Sequence, residues 1–298
     1  MLLAGGLLLI GCSGGHYDNN NAIGGDDTNI DDDAVDDDQV DDDTLGPNDV
    51  EVLFYNVGLG DSIFLNIGGE YRMLVDGGAV GEGAEIICPD LEARNIGRLD
   101  VMVMTHPHWD HCGGLGEIFD CVEVGELWVN GDTNEETEYL DFQTAFEAWG
   151  GPVIVKNIGD QNDLGPAHIT ILNSGTAYAN PNDNSMAFML QAGDFRLFLT
   201  ADVEAEAQSD LADDYGTGLA CNVIKIPSHG NISFAQEFID LLTAQSAVLS
   251  VGPNELDLPD QLTLDAYLND GMTLYRTDQN GNITVSLING VISVATQN

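Results

Sequence analysis

Six histidines occur in the 298 residues, and three of them fall in the single stretch Thr105-His106-Pro107-His108-Trp109-Asp110-His111. That stretch directly follows Val101-Met102-Val103-Met104, an apolar run with the length and branching of a buried strand. A chain that ends a core strand in imidazoles and a carboxylate must fold so that these groups find partners, because unpaired polar groups are expensive beside a core. His106 and His108 can reach one cation from a tight loop, and Asp110 and His111 can reach a second. Imidazole and carboxylate suit zinc first, with manganese or iron as alternatives, and they ligate only when deprotonated. The competing reading is a chance cluster on a surface loop.

The surrounding pattern is one of short strands and helices. Strands are expected over 52–57, 62–65 and 71–75, joined by Gly-rich turns, followed by a helix over 83–95. Helical stretches over 114–120 and 137–149 flank a strand at 126–129. The second half repeats this grammar. Strands are expected over 168–173, 185–191, 195–200, 222–226, 247–251, 273–276, 282–287 and 290–295, with helices over 203–213, 233–244 and 262–269. Hairpins mixed with β-α units in two similar halves predict an α/β architecture of two mixed sheets covered by outer helices.

Charge limits the partners. Fifty-one acidic residues face seven basic ones, for a net −44. Thirteen aspartates lie between residues 18 and 49, and setting them aside still leaves −31. Such a body repels polyanions, so nucleic acid is a disfavoured partner unless metal ions or a local basic strip intervene. Surface carboxylates that keep a protein soluble in salt explain the excess more simply than a cationic partner does.

Residues 13–49 are acidic and poor in apolar residues, as expected of a disordered tether, which leaves 50–298 as the folded domain. Leu2 to Ile10 form an apolar run too short to span a bilayer, closing on Gly11-Cys12. Residues 1–12 resemble a bacterial lipoprotein signal, although the usual basic residues before the run are missing. That resemblance implies an exported cell-envelope protein touching the membrane only through a lipid anchor at Cys12. Cys88, Cys112, Cys121 and Cys221 remain, enough for two disulfides in three possible pairings. Cys112, next to His111, is alternatively a thiolate ligand or a small buried residue.

From residue 50 onward the chain resembles the metallo-β-lactamase superfamily. His106-Pro107-His108-Trp109-Asp110-His111 is similar to its HxHxDH signature. Phe54-Tyr55-Asn56-Val57-Gly58-Leu59-Gly60-Asp61-Ser62 resembles the FLDVGQGDS opening of the ComEC-type branch, the hydrolase domain of bacterial DNA-uptake channels. Leu199-Thr200-Ala201-Asp202 looks like LLTGD, Ile224 to Gly230 like LKVPHHG, Asn182 to Ser185 like NDNS, and Tyr275 to Gly281 like YRTDQDG. The resemblance implies an αββα four-layer fold and two divalent metal ions held by His106, His108, Asp110, His111, Asp202 and His229. Asp202 would bridge the metals, Asp76 would orient a ligand histidine, and Asn184 would act on the ligands indirectly. Taken alone, Asp76 before two glycines is only a turn and Asp202 before a helix only a cap. His168, inside an expected strand, is a structural residue.

The departures bear on catalysis. Leu59 stands for the usual Gln, Ala201 for a Gly, and Ser228 for the first His of HHG, while Leu258 precedes a proline where the family has His. Asp110 is the expected base or water-orienting group, and Ser228 a substitute proton donor. The implied function is an exported hydrolase using metal-activated water on a phosphodiester or other small-molecule substrate. The alternatives are a lactone, thioester or other ester substrate, or a non-catalytic metal-binding surface lipoprotein.

Overall fold

The computed structural model describes residues 45–298. The expected signal at 1–12 and most of the expected tether lie outside the described residues. The last residues assigned to that tether, 45–49, belong to the body: Asp49 is buried, its Oδ1 accepts from Asn289 N and its Oδ2 from Gly46 N, both at 2.8 Å. Among the described residues no helix is long and apolar enough to cross a membrane.

Two mixed sheets carry the fold. The first is built from β1 (Val50–Phe54), β2 (Ile63–Ile67), β3 (Tyr71–Val75), β4 (Arg98–Met104), β5 (Glu123–Val129) and β6 (Val153–Val155). The second is built from β7 (Gln161–Leu164), β8 (Ala167–Asn173), β9 (Ala187–Ala192), β10 (Phe195–Leu199), β11 (Val223–Lys225), β12 (Ser246–Leu249) and β13 (Thr273–Arg276). The chain then returns to the first sheet with β14 (Ile283–Ile288) and β15 (Val291–Thr296). Strand orders are β15-β14-β1-β2-β3-β4-β5-β6 and β13-β12-β11-β10-β9-β8-β7. Each sheet changes from antiparallel to parallel pairing along its width, at β3 in the first and at β10 in the second. That shared switch is the physical form of the two similar halves.

The helices are α1 (Cys88–Ala93), α2 (Trp109–Cys112), α3 (Leu115–Ile118), α4 (Thr137–Trp149), α5 (Ala205–Tyr215), α6 (Gln236–Leu242), α7 (Gln261–Asn269) and α8 (Thr277–Asn280). Apolar side chains of both sheets, among them Val52, Leu65, Val103, Phe188 and Leu197, meet in one central cluster. A second cluster joins the outer face of the second sheet to α5, α6 and α7, and a third joins the first sheet to α1, α3 and α4. Burial of three such layers is the main stabilising term. The expected αββα architecture is the observed one.

Two strands escaped the sequence pattern. β6 and β7 are the outermost strands of their sheets, short, and half-exposed. Edge strands are held by backbone pairing on one side and need no apolar run. The helix expected over 83–95 divides into a π-helical turn, Gly83–Ile87, and α1, which has Pro89 in its first turn. Cys88 is bonded to Cys121, which ties α1 to the chain after α3. Cys112 and Cys221 are buried free thiols, and burial pushes both up to about 12. Among the described residues one disulfide is present where two were possible.

Candidate metal centre

The parallel strands deliver their carboxyl ends to one place, the region where open α/β sheets bind ligands. Asp76 follows β3, the His106–His111 segment follows β4, Asp202 follows β10, and His229 and Ser250 follow β11 and β12. Extended backbone at His108 turns the chain into α2, so that Asp110 and His111 stand in that helix. Four non-glycine residues around this point have left-handed backbone: Asp76 (φ 58°), Ala201 (φ 46°), Ser228 (φ 49°) and His229 (φ 52°). Such residues cost about 1 kcal/mol or more each and persist only where neighbours over-determine them. Here the Ala201 carbonyl accepts from Lys225 Nζ at 2.8 Å and from Ser228 N at 3.1 Å, locking two of the turns together.

The imidazoles are aimed from behind. Asp76 Oδ2 accepts from His111 Nδ1 at 2.8 Å, and both Asp76 oxygens are fixed by Thr105, from N at 2.8 Å and Oγ1 at 2.7 Å. The Ser250 carbonyl accepts from His229 Nδ1 at 2.9 Å. Each histidine therefore presents Nε2 forward. Asp202 Oδ2 lies 3.3 Å from His111 Nε2 and 3.4 Å from His229 Nε2, and Asp110 Oδ2 lies 3.4 Å from His229 Nε2. Ligating atoms of Asp110, His111 and His229 fall within 4.8 Å of one another, as do those of His106, His111 and Asp202. His108 stands at the edge of this cluster, half-buried, its Nδ1 3.0 Å from His106 Nε2.

Electrostatics follow from this crowding. Burial lowers the His106 pKa, with His111 adding to the effect. Burial is the largest single influence on His111 and His229 and works to lower both, but the facing carboxylates, Asp202 first, together outweigh it, raising His111 and lifting His229 to about 10. Burial would raise Asp110 and Asp202, yet the facing histidines hold Asp110 at about 2 and Asp202 below the usual carboxylate range. Burial holds Asp76 above that range despite His111 beside it.

The donor set fits divalent cations. His111 Nε2 and His229 Nε2 are buried without a hydrogen-bond partner, and both face carboxylate oxygen. Buried polar atoms are rarely left so, and imidazole nitrogen with carboxylate oxygen is the ligand chemistry of zinc, manganese or iron. In a third acidic grouping, Asp61, Asp76 and His111, Lys225 pairs with Asp61 Oδ2 and Thr105 with His111 takes Asp76, while Asp61 Oδ1 is buried without a hydrogen-bond partner.

Asp202 is no helix cap. Helix α5 begins at Ala205, and it is Asp183 Oδ1 that accepts from Glu204 N at 2.7 Å and Ala207 N at 3.2 Å. Asn184 bonds none of the six ligand-type residues. Its Oδ1 accepts from Tyr178 N and its Nδ2 donates to Asp132, at 2.8 and 2.9 Å, so it braces a loop, and its neighbour Ser185 receives the Asp202 N–H at 3.3 Å. Ser228 is buried beside His229. His168 lies in β8, paired with Asp163 at 2.7 Å and half-exposed. Sequence reasoning missed Lys225 and Asp61. A lysine inside the apolar strand 222–226 was the available signal, because a buried ammonium requires a buried counter-charge.

A cleft of about 240 Å³ opens onto the cluster. Asp110, Asp202, Ser228 and His229 form its buried end, and Trp109, Glu136 and Leu256 its exposed rim. A larger hollow of about 670 Å³ beside Cys88 and Cys121 contains none of these groups, so volume alone does not mark the site.

Residues 55–237 match the sequence model of the metallo-beta-lactamase superfamily. The chain belongs to that superfamily. Its fold is that of the superfamily's metal-dependent hydrolases, and its clustered His and Asp side chains could hold divalent metal. ComE operon protein 3 of Bacillus subtilis (strain 168) is 26% identical over 253 residues, covering 78% of this chain and 32% of that protein. Competence protein ComA of Neisseria gonorrhoeae is 26% identical over 249 residues, covering 82% and 33%. These relatives agree with the ComEC-type resemblance, and the chain spans about a third of their length. Among solved structures, the metallo-beta-lactamase fold protein YhfI of Bacillus subtilis superposes with a TM-score of 0.54 at 14% identity, covering 80% of this chain and 99% of that one. CmlA, a diiron beta-hydroxylase from Streptomyces venezuelae, gives 0.51 at 16% identity, covering 80% and 54%. Both show a shared fold.

Proposed function

We propose that this chain is a cell-envelope hydrolase of a phosphodiester, anchored through Cys12 and working with two divalent cations, zinc first and manganese or iron as alternatives. The observation that carries the hydrolytic reading is Asp202 Oδ2 set between two buried, unpartnered imidazole nitrogens, with Asp110 beside them. His106, His108, Asp110, His111, Asp202 and His229 would hold the cations. When bound there, they supply Lewis acidity at a phosphoryl oxygen and bring the pKa of water towards neutrality.

The protein's own groups do the rest. Asp76 and the Ser250 carbonyl fix the tautomer and aim of His111 and His229. Asp110, whose carboxylate the facing histidines keep ionised, stands beside His229 where it would orient a water for attack. Ser228, in the buried end of the cleft, is the hydroxyl available to protonate the leaving group. The diester class is supported by the ComEC-type resemblance and by likeness to a relative named for competence. The relatives' remaining two-thirds has no counterpart in the matched region, so uptake through a channel is not carried over.

Turnover of bis-p-nitrophenyl phosphate by zinc- or manganese-loaded protein, beside a lactone and a thioester, is the test. Diester hydrolysis that needs Asp110 supports the reading. Hydrolysis of only the lactone or thioester overturns the diester class, and less than about half an equivalent of bound metal overturns the metal centre.

A further inference from the structure

Resting on the phosphodiesterase reading, we infer that the cleft selects a diester whose non-leaving group is apolar and uncharged, and rejects one carrying further phosphates. Two independent features of the structure meet here: an apolar surface built beside the metal centre, and the commitment of every cation in the chain elsewhere.

The apolar surface comes from three loops. Leu59 precedes β2, Trp109 opens α2, and Leu256 and Leu258 belong to the segment between β12 and α7; all four line the cleft. Trp109 is 41% exposed and Leu256 66% exposed, and with Leu59 and Leu258 they gather on one cleft rather than being scattered singly. The segment bearing the leucines is stapled in place. Asn254 Nδ2 donates to the carbonyls of Gly252 and Leu258, both at 2.9 Å, and its Oδ1 accepts from Leu256 N and Leu258 N, both at 3.0 Å. The leucines are therefore presented on a fixed backbone, which lowers the ordering cost of binding against them. Leu59 and Leu258 are also the two positions where the resembled motifs carry Gln and His, so the departures from that pattern fall together on one cleft and both turn it apolar.

The second feature is charge. All seven Lys and Arg of the sequence lie among the described residues, and each is engaged within the chain. Arg94 pairs with Glu51 and Asp90, Arg98 with Asp100 and Glu123, and Arg276 with Asp278. Lys225 is buried with Asp61, Lys156 donates to Asn162 over the Trp128 ring, and Arg72 and Arg196 donate to backbone carbonyls. None of the seven lines the cleft, whereas Glu136 does. A second phosphate beyond the scissile one would meet no Lys or Arg side chain and would face the Glu136 carboxylate.

The test uses metal-loaded full-length protein and p-nitrophenyl diesters sharing one leaving group: the phenyl ester, the methyl ester, and the ester of a deoxydinucleotide 5′-phosphate. The phenyl ester is expected to exceed the methyl ester in kcat/KM by about tenfold, about 1.4 kcal/mol, and the dinucleotide ester to fall below both. Leu256→Ser should cut the phenyl-to-methyl ratio several-fold. Equal phenyl and methyl rates, or a preference for the dinucleotide, overturn the inference while leaving the phosphodiesterase reading intact. Absence of hydrolysis of all three overturns that reading instead. Calorimetric binding of phenylphosphonate against methylphosphonate then judges the cleft without turnover: tighter phenyl binding supports the apolar selection, and equal binding overturns it.

Discussion

Lys225 Nζ lies 2.5 Å from Asp61 Oδ2, with both side chains shut off from water. The same ammonium is 3.5 Å from Asp202 Oδ1, so it fixes one oxygen of a carboxylate whose other oxygen faces His111 and His229. Burial works to lower the lysine pKa, but Asp61 and then Asp202 outweigh it, and the group stays charged. Removing one partner of a buried pair strands the other, at a cost of about 3–5 kcal/mol. Lys225→Met should lower stability in urea by that order. Adding Asp61→Asn should recover part of the loss, because no unpaired charge then remains at that position. A double variant no more stable than Lys225→Met would show that the pair is not the source of the effect.

The metal-free protein should lose stability in base. His229 is raised from 6.5 to about 10, so the stability it contributes is fully present below 6.5 and is lost as pH rises through about 10. Asp110, lowered from 3.8 to about 2, contributes stability present above 3.8 and lost as pH falls towards 2. Both describe one contact, and it counts once. The urea midpoint of metal-free protein should therefore fall between pH 6.5 and 10. Because ligating imidazoles must shed their protons, zinc binding at pH 7 should release protons, read by calorimetry in buffers of different ionisation enthalpy. A release near zero would mean that the histidines are already neutral.

Much of the site was legible because its chemistry is local. His106 to His111 lie within one loop and short helix, and their residue types announce cations. Asp202 and His229 were legible only through motif likeness, since a lone acid or histidine at a strand end has ordinary structural explanations. Lys225 and Asp61 were not legible, because their pairing depends on two sheets being stacked before either residue's partner is known. The Cys88–Cys121 bond had the same obstacle: three pairings satisfy the sequence equally, and only the path through α1 and α3 selects one. Asn184 was placed by motif, but the turn Pro181–Asn184 gives the capping task to Asp183 and directs the amide of Asn184 to Asp132.

Gly60 tests how far backbone placement controls the ligands. Its φ is +140°, and a Cβ there would come 2.4 Å from the Asp110 carbonyl oxygen, which also accepts from Asp61 N at 3.1 Å. Gly60→Ala must push α2 away or break that hydrogen bond, moving Asp110 from His229. Elemental analysis should find the variant short of one metal, the one sharing Asp110, His111 and His229. Retention of both metals with unchanged turnover would mean that the loop yields without disturbing Asp110.

Asp202→Ala separates a bridging carboxylate from a peripheral one. In the folded chain Asp202 faces His111, His229 and Lys225 at 3.3 to 3.5 Å, so both proposed cations would share its charge. Without it, two divalent ions a few ångströms apart lose the anion between them, and their repulsion should expel at least one. Hydrolysis should fall by about a hundredfold or more, about 2.7 kcal/mol in transition-state stabilisation. The fold should survive, because Lys225 keeps its closer partner Asp61 and the strands on either side pack through apolar side chains. Circular dichroism and the metal count, measured on the same sample, read the two consequences separately. A variant that keeps native ellipticity, two metals and full turnover would remove Asp202 from the centre and leave the cations to the histidines and Asp110 alone.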